Sequence, residues 1–295
     1  MFFLPLPDLL LSVFSSHPQL WIAVGTALVM LAAAALYCGL TVKRYEIETD
    51  LLEPDRYLRI VHLSDLHSSR YGKGQRVLLD TVRELMPDVL FFTGDNIDDL
   101  RAQKAVSELF EGIRAMGISA YLVPGNHEMR IADLKSAEEL TKKNGIRWLD
   151  MQTESVRIAG VPLLIAGAGD RLPYGTDAAY REELARAFSG VKGSRRLKLL
   201  LAHRPEYGQT YRELGFDAAF SGHAHGGQVR IPGLVNGLYA PQQGLFPKRA
   251  GGLYREGSFV HIVSRGLSRF WDMPRIFNPP EIVLCVFRGA KPDAR

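Results

Sequence analysis

The sequence predicts an α/β protein with two packed sheets at its core, preceded by one N-terminal transmembrane helix. Three observations carry that reading. Helical and strand-like segments alternate through the first half and short strands dominate the second, which fits two packed sheets better than one doubly wound sheet. The run Val89–Thr93 (VLFFT) is apolar without a break, as expected of a strand covered on both faces. Residues 20–42 contain no charged side chain.

Wound as a helix, residues 20–42 would span roughly 34 Å at about 1.5 Å per residue, enough for a hydrocarbon core of about 30 Å. Apolarity on every face argues against a buried core helix. The rival is a cleaved signal peptide: its basic leader is missing and the run is long for such a segment, although the alanines at 33–35 mimic a cleavage site. Pro5, Pro7 and Pro18 break the stretch ahead of the run. No Lys or Arg precedes it, whereas Lys43, Arg44, Arg56 and Arg59 follow. That asymmetry puts the N-terminus outside and the remainder on the cytoplasmic side of the inner (cytoplasmic) membrane, as a single-pass protein. The chain thus divides into a membrane anchor (1–44), a connector (45–57) closed by the turn Glu53-Pro54-Asp55, and a globular domain (58–288).

Within that domain, strands are expected at 58–64, Val89–Thr93, 118–123, 156–158, 162–166, 197–201, 218–220, 228–231, Phe259–Val263 and 282–287. Helices are expected at 79–86, stopped by Pro87, at 100–116, closed by Gly117, at 132–143 and at 177–188. A net charge of +4 lacks the dense basic stripe of a nucleic-acid binder, so no nucleic-acid partner is expected. Cys38 lies in the apolar run and Cys285 far from it, so no disulfide staples the fold.

The strand ends carry the chemistry. After the first strand come Asp65 and His67; after the second, Asp95; after the third, Asn126, His127 and Glu128. His203 follows the strand at 197–201, and His223 and His225 follow 218–220. Ligands in open α/β sheets bind at the carboxyl ends of strands. Residues two apart in extended chain point the same way, so Asp65 and His67 would face one site together, as would His223 and His225. Aspartate, asparagine and imidazole together suit borderline divalent metals such as manganese, zinc or iron. One HxH alone would be weak evidence, but five of eight histidines fall at these strand ends. His62 and His261 lie inside strands and His17 precedes the anchor, and these three read as structural. Glu128 reads as a cap on the next helix.

In order, the motifs are DxH, GDN, GNHE, HRP and GHxH. Over about residues 57–288 the chain resembles the calcineurin-like metallophosphoesterase superfamily. It is most similar to a membrane- or envelope-associated branch of bacterial phosphodiesterases through SDLHSSRYGKGQ, GHAHGGQVRIPG, LYREGSF, SRGLSRF and NPPEIVL. The resemblance implies a four-layer α/β/β/α sandwich and a centre of two divalent metal ions. Asp65, His67 and His225 would hold one metal and Asn126, His203 and His223 the other, with Asp95 bridging both. His127 would act beside them as a catalytic group on the leaving oxygen, and water made acidic by the metals would attack phosphorus. Ala224 stands where relatives often carry threonine. Asn96-Ile97-Asp98-Asp99 offers no Arg or His to grip phosphate.

The expected activity is metal-dependent phosphoester hydrolysis on a membrane-associated or envelope substrate. The sharper alternative is a UDP-2,3-diacylglucosamine pyrophosphatase; a non-catalytic, membrane-tethered metal-binding scaffold is the other. Phe246, Lys248, Arg249, Arg255, Arg265, Arg269, Phe270, Trp271 and Arg275 interleave aromatic and basic groups, as an interface with anionic head groups would. Oligomeric state is not readable from the sequence.

Overall fold

The computed structural model describes residues 18–269 and 275–290. Its core is two six-stranded sheets. In the first, neighbours run β1 (Thr41–Thr49), β14 (Glu281–Gly289), β2 (Tyr57–Leu63), β3 (Val89–Thr93), β4 (Ser119–Val123) and β5 (Ile146–Trp148). In the second they run β12 (Gly252–Glu256), β13 (Phe259–Val263), β9 (Ala218–Ser221), β8 (Leu197–Ala202), β7 (Val161–Ala168) and β6 (Gln152–Ile158). A two-stranded ribbon, β10 (Tyr239–Ala240) with β11 (Gly244–Leu245), stands apart.

Side-chain alternation along these strands builds the layers. Val89 and Phe91 point between the sheets, where they meet Leu163, Ile165, Leu199 and Phe220. Leu90 and Phe92 point outward onto Leu78 and Val82 of α2 (Arg76–Glu84), and onto Leu109 and Phe110 of α3 (Lys104–Met116). Ala137 and Leu140 of α4 (Leu134–Lys143) join the same cluster. Behind the second sheet, Tyr180 and Leu184 of α5 (Asp177–Ala187) and Tyr211 of α6 (Gly208–Glu213) cover Leu164, Ala166 and Leu200. The order is helix, sheet, sheet, helix: the expected four-layer sandwich. Strands β2 to β5 are parallel, as are β7, β8, β9 and β13, so the carboxyl ends of five of them reach one rim.

Three expectations are corrected. The segment 45–57 is not simply a connector, because β1 pairs in parallel with β14 from Thr41↔Glu281 to Thr49↔Gly289. Its charges hid it: in TVKRYEIET only Ile47 is buried, as suits an edge strand blunted by polar side chains. Residues 228–231 form no strand; Val229 and Ile231 make only isolated bridges, to Ile276 and Val235, after four consecutive residues of positive φ, His225, Gly226, Gly227 and Gln228. The apolar helix, α1, is Pro18–Ala35 and not the whole of 20–42; Thr41 and Val42 are drawn into β1, with Thr41 N–H donating to Pro280 C=O at 2.9 Å. α1 is long and apolar enough to cross a membrane and none of its residues is buried. His17, Pro5 and Pro7 lie outside the described residues.

His62 on β2 and His261 on β13 are fully buried, with Nε2 on Thr93 Oγ1 at 2.7 Å and on Ser221 Oγ at 2.8 Å. Burial lowers the His62 pKa to about 3 and that of His261 well below its usual value. An unfolded chain takes up these protons near pH 6.5 and the fold does not, so stability is complete above about 6.5 and falls as pH drops toward 3. For His62 alone the loss approaches roughly 4 kcal/mol at the acid end. His62→Phe should therefore flatten the acid limb of the stability curve when both proteins are denatured in chelator. An unchanged limb would mean that His62 is not buried neutral.

Candidate metal centre

Every predicted ligand arrives on a loop at that rim, but not by strand alternation. Asp65, His67, Asp95, His223 and His225 have φ of 53°, 46°, 53°, 66° and 47°. All five occupy left-handed backbone, which is costly for such residues and collects at functional sites. Tight turns, rather than extended chain, swing the side chains inward. Backbone bonds between loops hold the turns: Asp65 N–H to Gly94 C=O at 3.0 Å, His67 N–H to Asp95 C=O at 2.9 Å, and Gly222 N–H to His203 C=O at 3.1 Å. Glycine is required at two crossings. A Cβ on Gly94, itself at φ 84°, would meet His203 Nδ1 at 2.5 Å, and one on Gly222 would collide with Ser64 Oγ and the Asp65 carboxylate.

Six of the predicted ligands make up two groups that could each hold a cation, Asp65, His67 and His225, and Asp95, His203 and His223; His127 completes two further groups, one with His67 and Asp95 and one with Asp98 and Asp99. Asp95 Oδ2 stands between the first two, 3.7 Å from His67 Nε2 and 3.1 Å from His203 Nε2. Groups outside the centre orient the imidazoles, as neighbours of metal-bound histidines do. His203 Nδ1–H donates to Thr93 C=O at 2.7 Å, and His67 Nδ1–H to Asp98 Oδ2 at 2.9 Å. His223 Nε2–H donates to Gln242 Oε1 at 2.6 Å, with Arg204 Nη1 farther off at 3.4 Å. His67 Nε2, His203 Nε2 and His223 Nδ1 are then left with lone pairs facing inward. His67 Nε2 and Asn126 Oδ1 are buried without any hydrogen-bond partner, and His223 Nδ1 faces His203 Nε2 at 3.0 Å. Converging lone pairs and two orphaned acceptors fit divalent cations held by nitrogen and oxygen.

The charges agree. Without cations a proton fills part of the gap: burial opposes it, but the Asp95 carboxylate, aided by Asp65, carries the His203 pKa up to about 10. Burial likewise resists charge on Asp95, yet His203 holds its pKa well below the usual range, whereas burial raises Asp65. His223 and His225 are pushed well down, by burial first and then by neighbouring imidazoles. An entering cation must displace the His203 proton, so metal uptake releases acid.

His127 stands beside this cluster, with its ring 4.5 Å from that of His67 and its backbone N–H on Asp95 Oδ1 at 2.8 Å. Its Nδ1 is 2.6 Å from Asp99 Oδ1. Glu128 does not cap a helix. Fully buried, it accepts from Asp95 N–H (2.7 Å) and Gly125 N–H (2.9 Å) at Oε2, and from Asn96 N–H (2.8 Å) and Ile97 N–H (2.9 Å) at Oε1. It ties the Asp95 loop to the Asn126 loop.

Sequence reasoning missed Asp98 and Asp99 as partners of His67 and His127, although both were in view as a GDN tail lacking Arg or His. It missed Gln242 and Asp170 because nothing local marks them, and so missed the buried pairing of Asp170 with the Arg204 of HRP (3.0 Å). Ala224 points away into Ala240 and Val263. The basic residues expected to meet head groups are largely spent inside the fold. Arg249 pairs with Glu256 and Arg265 with Glu281, Arg275 is buried on Ser268 and Arg265 C=O, and Arg269 lies over Tyr71. Phe270 and Trp271 lie outside the described residues.

Residues 58–227 match the family described as calcineurin-like phosphoesterase, and the chain belongs to that family. It is a hydrolase of phosphoric esters, of a family that uses divalent metals. The chain is 27% identical to an uncharacterized metallophosphoesterase of Aquifex aeolicus over 85% of its own length and 92% of the relative's. It is 25% identical to phosphodiesterase YaeI of Escherichia coli, over 77% and 80% of the two chains. Over a shorter stretch, 30% of this chain and 28% of the relative, it is 34% identical to the UDP-2,3-diacylglucosamine pyrophosphatase LpxG of Chlamydia muridarum.

Proposed function

We propose that the chain hydrolyses a membrane-held or envelope phosphoester at a dinuclear centre, from the cytoplasmic side of the inner membrane. Asp65, His67 and His225 would hold one cation, Asn126, His203 and His223 the other, with Asp95 shared. The observation that carries the reading is the convergence of six of these groups, Asp65, His67, Asp95, His203, His223 and His225, together with two buried acceptors, His67 Nε2 and Asn126 Oδ1, left unpartnered. Manganese, zinc or iron held there would supply neutralisation of phosphate charge and a more acidic water for in-line attack. The chain's own part is to place and protonate. With Nδ1–H held by the Asp99 carboxylate, the doubly protonated His127 ring would present Nε2–H to the leaving oxygen, a role worth roughly 10²–10⁴-fold. Arg204, buried and paired with Asp170, packs beside His223.

Membrane attachment rests on α1, and its direction on Lys43, Arg44, Arg56 and Arg59 after it. Turnover of bis(p-nitrophenyl) phosphate should vanish on chelation and return with manganese, zinc or iron. His127→Gln should lower kcat by about 10²-fold or more with metal content unchanged. Absence of turnover with every divalent metal would favour a non-catalytic scaffold. The similarity to LpxG favours a second reading, a UDP-2,3-diacylglucosamine pyrophosphatase, which release of UMP from that substrate would distinguish.

A further inference from the structure

A loop beside the site has, apart from Gln242, no role in the chemistry above. Between residues 229 and 248 the chain leaves the second sheet, forms the β10–β11 ribbon and returns. Leu234, Leu245 and Phe246 are 79%, 68% and 65% exposed, and Ile231, Leu238 and Tyr239 are also open to solvent. So much exposed apolar surface in one loop marks a contact surface. From Gln228 to Lys248 there is no Asp or Glu, whereas Arg230 and Lys248 are basic. An apolar tip with only positive charge matches the interface of an anionic leaflet.

The fold fixes where this loop sits relative to α1. Phe277 N–H donates to the C=O of Ala35, the last residue of α1, at 2.7 Å. The adjoining Ile276 pairs with the base of the loop: Ile276 N–H donates to Gln228 C=O at 3.1 Å, and Arg230 N–H to Ile276 C=O at 2.9 Å. The foot of the apolar loop is thus stitched, through one short segment, to the end of the apolar helix. A bilayer that α1 enters would begin there. At its other end the loop reaches the metal centre, where Gln242 holds His223.

We infer that residues 229–248 are a bilayer-docking loop that seats the mouth of the metal centre at head-group level of the leaflet from which α1 emerges. The inference rests on the membrane reading given above, and it moves the lipid contact from the ion-paired basic residues downstream to an apolar loop upstream of them.

Single cysteines carrying an environment-sensitive fluorophore test it in the full chain. The background is Cys38→Ser, Cys38 being exposed, while Cys285 is buried. The protein is placed in nanodiscs of phosphatidylethanolamine and phosphatidylglycerol. Probes at Leu234→Cys and Phe246→Cys should shift to the blue and be quenched by nitroxide-bearing lipid. A probe at Met86→Cys, exposed and at the opposite end of β3, should do neither. A probe at Met30→Cys within α1 separates the two ideas. If it lies in lipid while the loop probes stay in water, the docking loop is overturned and the anchor stands. If Met30 itself stays in water, the membrane reading falls and takes this inference with it. A loop shift confined to discs holding two copies would mean that a second copy covers the loop, which also overturns it.

Discussion

Asp95→Asn should abolish hydrolysis while leaving the chain folded. Asp95 is the one carboxylate placed between the two ligand groups, with Oδ2 3.1 Å from His203 Nε2 and 3.7 Å from His67 Nε2, and Oδ1 accepting from His127 N–H at 2.8 Å. An amide of the same shape has no good orientation here. With its NH₂ at the Oδ2 position it aims donors at the lone pairs that should receive a cation. Turned over, its NH₂ faces the His127 N–H, donor against donor. Either way one negative charge is lost from a buried centre, where it has most effect. Bound metal should fall well below that of the parent protein, and turnover should drop by about 10³-fold or more at saturating metal, several kcal/mol of lost stabilisation. The electrostatic change has its own signature. The Asp95 charge is the main influence raising His203, so the variant should hold that proton less tightly and release less acid when it takes up metal. Full activity of Asp95→Asn in metal-stripped buffer would overturn the assignment of the centre.

The way residues share information along the chain explains what could be read in advance. VLFFT declared a strand covered on both sides because each of its residues meets a wall, and burial leaves its mark residue by residue. The ligand loops were visible for a similar reason: each acidic or imidazole group follows soon after a strand, and Asp95, His223 and His225 sit beside a glycine. Their geometry was not visible. Left-handed φ at Asp65, His67 and Asp95 depends on bonds between loops about 30 residues apart, which no local pattern reports. β1 was hidden because an edge strand needs polar side chains and so looks like a connector. Gln242 was hidden because it reaches His223 from a separate loop, through a single side-chain contact. Function written into the sequence neighbours of a ligand is legible, whereas function supplied by a distant second loop is not.

Glu128 is such a case, and replacing it separates two physical pictures. As a helix cap it would contribute about 1 kcal/mol and nothing to metal binding. As the acceptor of four backbone N–H groups from two ligand loops, it should do far more. Burial and then the Asp95 charge push its pKa up to about 7, partly offset by the Ile97 and Gly125 N–H donors. Glu128→Gln keeps volume but supplies one acceptor oxygen. Its NH₂ would face two of the four N–H groups, and buried donors left unpaired cost roughly 1–3 kcal/mol each. A stability loss of about 3 kcal/mol or more is expected, read as a lower denaturant midpoint with the slope unchanged. The loops carrying Asp95 and Asn126 would loosen together, so metal affinity should fall by about 10–100-fold, as for lost support behind a metal ligand. Excess metal should then recover much of the activity, which it cannot do for Asp95→Asn, because the ligand itself remains. A variant with parental metal affinity and a loss near 1 kcal/mol would return Glu128 to the role of a cap.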